Sequence, residues 1–423
     1  MLKNFINVIF LCADYKLLEI FIIGLIGAAP MAFVSLNVIV WLKESGIEIA
    51  LITLFTFARL PTSLRFIWSP FIDNYTPRFP VKFGHRKKWF ILCTLITSIL
   101  IFITSTISPQ YFLKVVFILC ILITFVSSIY DINFDAYRIE LFEPKKQAMG
   151  AAAAVLGYRT GIIILNFGGL SIVSHTNNWS ATIKVIALFF IIAVFVMVVL
   201  VQDVDRPDDF QEAAHSSLAE IIYKPFQDFF RKKHAFLILT AIILYKCGES
   251  FSTVIILPYY LDIGFSKSQI SDTIRMCGFG SSILGVYLGA FVMYILSPLR
   301  GLIFSGFAQL GMIFALIWLK NHSMEMSALR LVVSTENISE GIASVALMSY
   351  LSTICNKKYL ASQYALLISA VGIFGNTISA YSGKLVEILN WDGFFIFAVI
   401  ISLPSLIVLI YLDSKKASFL SRT

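Results

Sequence analysis

The sequence predicts an all-α integral membrane fold of about twelve transmembrane helices in two six-helix halves, and three observations carry that expectation. Aliphatic, aromatic and sulfur side chains make up 58% of the 423 residues and charged residues only 14%, about half the charged share of soluble domains. The length suits about twelve crossings of roughly 20 residues each with short loops. Basic clusters fall in alternate loops, at Arg86, Lys87 and Lys88, then Arg231, Lys232 and Lys233, then Lys357 and Lys358, as expected when Lys and Arg stay on the cytoplasmic side. This composition excludes a water-soluble domain. The +8 formal charge lies between apolar runs, so it reads as a topology signal with the lipid bilayer as partner, and no nucleic acid is expected.

Residues 1–16 contain a short apolar run with no small-x-small cleavage site after it, and Leu11 before Cys12 is a poor lipobox residue, so this segment is expected to be retained. Long apolar runs, broken at polar or Pro/Gly turns, place spans near 17–41, 47–72, 89–108, 111–137, 148–172 and 180–201. They form a first half, 1–201. A hydrophilic stretch follows, with Asp203, Asp205, Asp208 and Asp209 at its start and basic residues at its end; it reads as a cytoplasmic linker, 202–235. Six further spans near 236–261, 268–296, 300–320, 325–351, 359–384 and 392–412 form a second half, 236–412, and 413–423 is a cytoplasmic tail. The first turn of each half has a matching form: Trp41-Leu42-Lys43 leads to Gly46-Ile47, and Tyr260-Leu261-Asp262 leads to Gly264-Phe265. Parallel repeats related by an axis along the membrane normal produce such a match, which predicts the major facilitator architecture. With both termini inside, the inner loops collect most Lys and Arg, including Arg78, Lys82, Lys145, Lys146, Arg300, Lys415 and Lys416, and the outer loops hold little beyond Lys43, Lys267 and Lys320.

Charges inside spans are costly and face a cavity or a partner. The acids singled out are Asp131, Asp135, Glu249, Glu336 and Glu340; the bases are Arg59, Arg65, Arg138, Arg159, Lys246 and Arg275. Their near equality leaves a structural pairing network open as the alternative for any single residue. Asp131, Asp135 and Arg138 stand at i, i+4 and i+7, on one face of the fourth span. Two carboxylates one turn apart in a low-dielectric cavity repel, which favours proton uptake by one of them; alternatively Arg138 holds Asp135 ionised near a helix end as a gate. Lys246 and Glu249 lie at i, i+3 in the seventh span, and Glu336 and Glu340 at i, i+4 in the tenth.

Several stretches resemble the AmpG muropeptide permease family of the major facilitator superfamily. They include Leu60-Pro61, Phe66-Ile67-Trp68-Ser69-Pro70, Asp73-Asn74-Tyr75-Thr76-Pro77 and the basic turn Gly84-His85-Arg86-Lys87-Lys88-Trp89. The match continues through Asp131-Ile132, Phe134-Asp135-Ala136-Tyr137-Arg138, Gly150-Ala151-Ala152 and Val155-Leu156-Gly157-Tyr158-Arg159. In the second half it includes Tyr245-Lys246, Gly248-Glu249, Glu336-Asn337, Cys355-Asn356-Lys357 and Gln363-Tyr364-Ala365-Leu366-Leu367. Asn74 stands where the family usually has Arg, and Glu249 where Asp is commoner. The resemblance implies spans one, four, seven and ten around a central cavity in the inner membrane, and proton-coupled import of GlcNAc-1,6-anhydro-MurNAc and its peptides for cell-wall recycling. On that reading Asp131, Asp135 and Glu249 are the proton-coupling candidates. Arg65, Arg159, Lys246, Glu336 and Asn337 contact substrate, Tyr130, Tyr158 or Trp68 stack on sugar rings, and Asp73 and Arg138 gate. An acyl-CoA or other anionic-metabolite transporter is the rival, as is a non-transporting sensor on the same fold.

No catalytic constellation is expected. The five histidines lack HExxH spacing, and Gly383-Lys384-Leu385 is not a phosphate-binding loop. The cysteines Cys12, Cys93, Cys120, Cys247, Cys277 and Cys355 contain no CxxC pair, so neither metal nor cofactor is expected and the thiols read as reduced packing residues.

Overall fold

Asp14 opens the described chain as the cap of the first helix, its carboxylate accepting from the Lys16 amide at 3.1 Å, the usual use of a short acidic side chain at an orphan helix end. The structure, a computed structural model, describes residues 14–78, 83–203 and 218–420. Cys12, Lys82 and the linker acids Asp205, Asp208 and Asp209, with most of the linker's first half, lie outside the described residues. The first half comprises α1 (Tyr15–Glu44), α2 (Ile49–Ile67), α3 (His85–Ser105), α4 (Pro109–Leu141), α5 (Gln147–Thr176) and α6 (Trp179–Leu200). A linker helix, Leu218–Arg231, leads to the second half: α7 (Ala235–Asp262), α8 (Lys267–Ile295), α9 (Pro298–Lys320), α10 (Met326–Ile354), α11 (Leu360–Ala380) and α12 (Ser382–Lys415). Regular structure among the described residues is entirely helical.

Eleven of these helices are long and apolar enough to cross a membrane. The remaining one of the expected twelve, α10, has the length (29 residues) but carries Arg330, Glu336 and Glu340 along it. Such a helix is stable in a bilayer only where its charges face protein or a water-filled cavity. Between the last two spans α11 ends at Ala380, a short helical piece begins at Ser382, and the chain breaks at the non-helical Asn390 (φ 57°), within the expected turn at 385–391.

Two helices depart from regular geometry where the sequence disfavours it. In α1, Pro30 is followed by a widened π-helical turn at Phe33–Asn37, a common way for a helix to absorb a local mismatch. In α2, Pro61 lacks an amide hydrogen, and tight turns occupy Phe55–Arg59 and Arg65–Ile67. The hydroxyls of Thr53, Thr56 and Thr62 donate back to carbonyls three residues earlier at 2.7, 2.7 and 2.8 Å, meeting acceptors that a distorted helix leaves short.

Within the first half α1 lies directly on α5. A Cβ added at Gly157 would stand 2.1 Å from the Phe21 carbonyl oxygen, so only glycine permits this backbone approach, as small residues do between membrane helices. The halves meet through two apolar seams. Ala148, Ala151, Ala152, Val155 and Leu156 at the start of α5 join Val286 and Ala290 of α8 and Ala343 and Val345 of α10. Ile72, Ile132 and Ala136 join Leu360, Ala361 and Ala365 at the start of α11. Both seams lie toward the end of the molecule that carries the basic loops. No comparable buried cluster joins the halves at the other end among the described residues, so the molecule is closed at one end.

Candidate functional site

The closed end is held by charge as well as by apolar contact. Asp73, on the short helix Ser69–Asn74 after α2, accepts from the Ala361 and Ser362 amides at 3.2 and 2.9 Å and from the Ser362 hydroxyl at 2.6 Å. A carboxylate at a helix N-terminus meets both the unpaired amides and the positive end of the helix dipole. Arg86 backs it: its guanidinium lies 3.6 Å from Asp73 and donates to Glu140 at 2.6 and 3.1 Å. Asn74, which stands where the family usually has Arg, takes no part in this network: its amide turns away to the Pro70 carbonyl at 2.8 Å.

Arg138, fully buried, donates across the halves to Ser352 Oγ at 3.1 Å and Tyr364 Oη at 3.4 Å. The linker helix reinforces this end. Gln363 at the start of α11 donates to Asp228 at 2.7 Å and to the Pro225 carbonyl at 3.1 Å. Lys232 donates to the Ile354 carbonyl at 2.7 Å and to Gln363 at 3.0 Å, and Phe226 packs edge-on against Phe66 of the first half. Both expected gating residues, Asp73 and Arg138, therefore stand at the closed end between the halves.

Deeper in, Arg65 of α2 reaches Asp135 of α4 at 3.5 Å, and Asp131 lies within electrostatic reach of both. Two carboxylates share this arginine. Tyr158 of α5 is 36% exposed although it sits well inside its helix, and it lies in electrostatic reach of Asp131, Arg59 and Arg65. The next residue, Arg159, crosses to the second half and meets Glu340 of α10 at 3.1 Å. One turn before Glu340, Glu336 accepts from Tyr260 Oη at 3.2 Å. These groups surround a polar space at mid-depth, supplied by both halves.

The expected site is thereby narrowed. Tyr130 does not join these groups: its hydroxyl donates to the Ile23 carbonyl at 2.8 Å, its ring meets Phe90 edge-on and lies over Gly27. The residue is almost completely buried, so it serves the α1–α4 contact and offers no open face to a sugar. Trp68 likewise packs against Phe125. Lys246 forms an ion pair with Glu249, and Glu249 is further held by Gln309 of α9 at 2.7 Å; this is a cluster within the second half. The Asn337 amide donates to the Val333 carbonyl of its own helix at 2.8 Å and lies beside Gly278 of α8.

Some roles are not evident in the charge pattern. Glu140 and Ser362 join the Asp73 network, Arg86, read as a loop charge, backs Asp73, and Glu340, read as an in-span acid, is the partner of Arg159. Glu19 in α1 is wholly buried, where it accepts from Tyr137 and from the Gln202 amide at 2.9 Å and so ties the start of the linker to the first half. Its signal was available as a lone acid within the first apolar run. No group of His, Cys, Asp and Glu suited to a metal occurs among the described residues, and Cys93, Cys120, Cys247, Cys277 and Cys355 are free.

The description Major Facilitator Superfamily matches residues 20–367. A relative from Rickettsia conorii named putative transporter AmpG 4 is 39% identical, with 95% of this chain and 97% of the relative covered. The anhydromuropeptide permease of Escherichia coli K12 is 28% identical over 92% of this chain and 78% of its own. Among solved structures, the Escherichia coli fucose:proton symporter superposes with a TM-score of 0.70 at 9% identity, covering 93% of this chain and 98% of that one. A bacterial homologue of the iron transporter ferroportin gives 0.67 at 14% identity, covering 94% and 99%. With two six-helix halves around a polar centre, the chain belongs to the AmpG family of the Major Facilitator Superfamily and is a multi-pass membrane transporter, not an enzyme.

Proposed function

We propose that this transporter imports anhydro-muropeptides, GlcNAc-1,6-anhydro-MurNAc and its peptides, across the inner membrane in symport with protons, with both termini in the cytoplasm. The substrate class follows from the kinship with the Escherichia coli permease. The observation that carries it physically is the mid-depth polar space in which Arg159 from one half meets the acidic face of α10 from the other. A polar disaccharide bearing a carboxylate must exchange water for charged and hydrogen-bonding side chains, and such groups stand here away from lipid. Asp131 is the proton carrier on this reading, because Asp135 has Arg65 at 3.5 Å and stands in the field of Arg138, whereas Asp131 shares only the field of Arg65 and can take up a proton without breaking an ion pair. The end closed by Asp73, Arg138 and the linker helix is the cytoplasmic gate, so the conformation described faces the periplasm.

Counterflow in proteoliposomes loaded with unlabelled anhydro-disaccharide tests the assignment. Saturable entry of the labelled disaccharide, enhanced by an inward proton gradient, is the expected result. Saturable uptake of an acyl-CoA with none of the disaccharide rejects the substrate while leaving the transporter intact.

A further inference from the structure

The Arg159–Glu340 pair is unlike the other links between the halves. Asp73 and Arg138 are almost completely buried, and their contacts lie within or beside the apolar seams. By contrast the side chains of Arg159 and Glu340 are 20% and 46% exposed, although both residues sit near the middle of their helices. The pair is therefore not sealed into the protein interior. Ion pairs with this much solvent access contribute little to stability, so the pair is poorly suited to holding the halves together. That task is already met by the seams, by the Asp73 contacts at the α11 N-terminus and by Arg138.

The chemistry of the pair points elsewhere. A guanidinium binds a carboxylate through a planar fork of donors and takes a carboxylate of a small molecule as readily as that of a side chain. Of the other basic groups near mid-depth, Arg65 is engaged with Asp135 and Lys246 with Glu249 inside their own halves. Arg159, by contrast, has a carboxylate partner from the opposite half that is nearly half exposed. Glu340 is also one turn from Glu336, and the two repel, which weakens its hold on the arginine.

We infer that Glu340 is a resident counter-ion: the carboxylate of an incoming substrate docks on Arg159 by displacing Glu340, which makes Glu340 a determinant of affinity and of selection for anionic substrates. This inference rests on the anionic-substrate reading above. Glu340 occupies Arg159 when the cavity is empty and keeps the guanidinium from binding small inorganic anions weakly; only a ligand with further contacts in the cavity outcompetes it. Displacement also removes a link between the halves at the moment of binding, so substrate entry and the freedom of the halves to move become linked.

The inference predicts opposite effects from the two sides of one ion pair. Uptake is measured in proteoliposomes with the anhydro-disaccharide in its acid form and with an analogue whose carboxylate is a carboxamide. Glu340→Gln leaves Arg159 free, and the KM for the acid falls about threefold to fivefold, while that for the amide is unchanged. Arg159→Gln raises the KM for the acid at least tenfold and alters the amide little. Glu340→Asp, which keeps the charge, gives a KM for the acid between wild type and Glu340→Gln; it serves as the conservative variant, and thermal melting of each purified protein establishes that it is folded. The charge swap Arg159→Glu with Glu340→Arg restores a bridge between the halves and moves the guanidinium, and acid uptake stays impaired. If both single variants lose acid and amide uptake in parallel and the swap restores it, the pair is only a bridge and the inference is overturned. Wild-type protein that takes up neither compound rejects the substrate reading itself, and the inference with it.

Discussion

Asp131, Asp135 and Arg138 share one face of α4, and that much is dictated by helical spacing. Their partners are not. Asp135 turns to Arg65 on α2, Arg138 turns to Ser352 and Tyr364 in the other half, and Asp131 is left with a share of Arg65's field. Of the two acids, Asp131 is the one whose protonation breaks no hydrogen bond seen in this state. Asp131→Asn is therefore expected to abolish accumulation driven by a proton gradient while downhill exchange continues, because exchange needs no net protonation cycle. Gradient-driven uptake and exchange in the same proteoliposomes measure this, and undiminished accumulation moves the proton site to another acid. The residue types of the site were legible in the sequence, since in-span charges are few and costly. Tyr130 shows the limit: an aromatic next to a cavity acid looks like a sugar platform until its ring is found packed under Gly27 and Phe90.

At the scale of elements, helix length and hydrophobicity placed every span within a few residues in the first half, but not the contacts that fix their depth and rotation. Gly157 is the clearest case. Its Cα hydrogen faces the Phe21 carbonyl, and since that oxygen belongs to the α1 backbone it cannot swing aside as a side chain does. Gly157→Val is expected to force α1 from α5 and to cost about 3 kcal/mol, the upper part of the range for overpacking, seen as a lower melting temperature and a smaller folded fraction in the membrane. Gly168 on the same helix has open space around an added Cβ, so Gly168→Ala is the matched control with little effect. The polar character of α10 belongs to the same scale: a helix carrying Glu336 and Glu340 is poor as an isolated span and is accommodated because both acids face polar partners, Tyr260 and Arg159.

For the whole molecule, the charge asymmetry of the loops predicts that residues near 215 and 420 are cytoplasmic and those near 175 and 322 periplasmic. Single cysteines placed there in a background without the native thiols, labelled from outside with an impermeant maleimide, test it; modification near 215 but not near 175 reverses the orientation. The sequence by itself determined that the chain crosses a membrane many times, that it has two halves with a hydrophilic linker between them, and to which family it belongs. Those properties are local or additive: apolar length, loop charge and short motifs can be read one segment at a time. Only the tertiary structure decided which end is closed, that Asp73 caps α11 from the opposite half, and that Arg159 pairs with Glu340. Spacing along a helix tells which side chains share a face, but the partner of a buried charge depends on which other helix is brought against that face. In a bilayer that choice is made by packing and by the cost of leaving a charge alone, and residues separated by most of the chain, such as Asp73 and Ser362, settle it together.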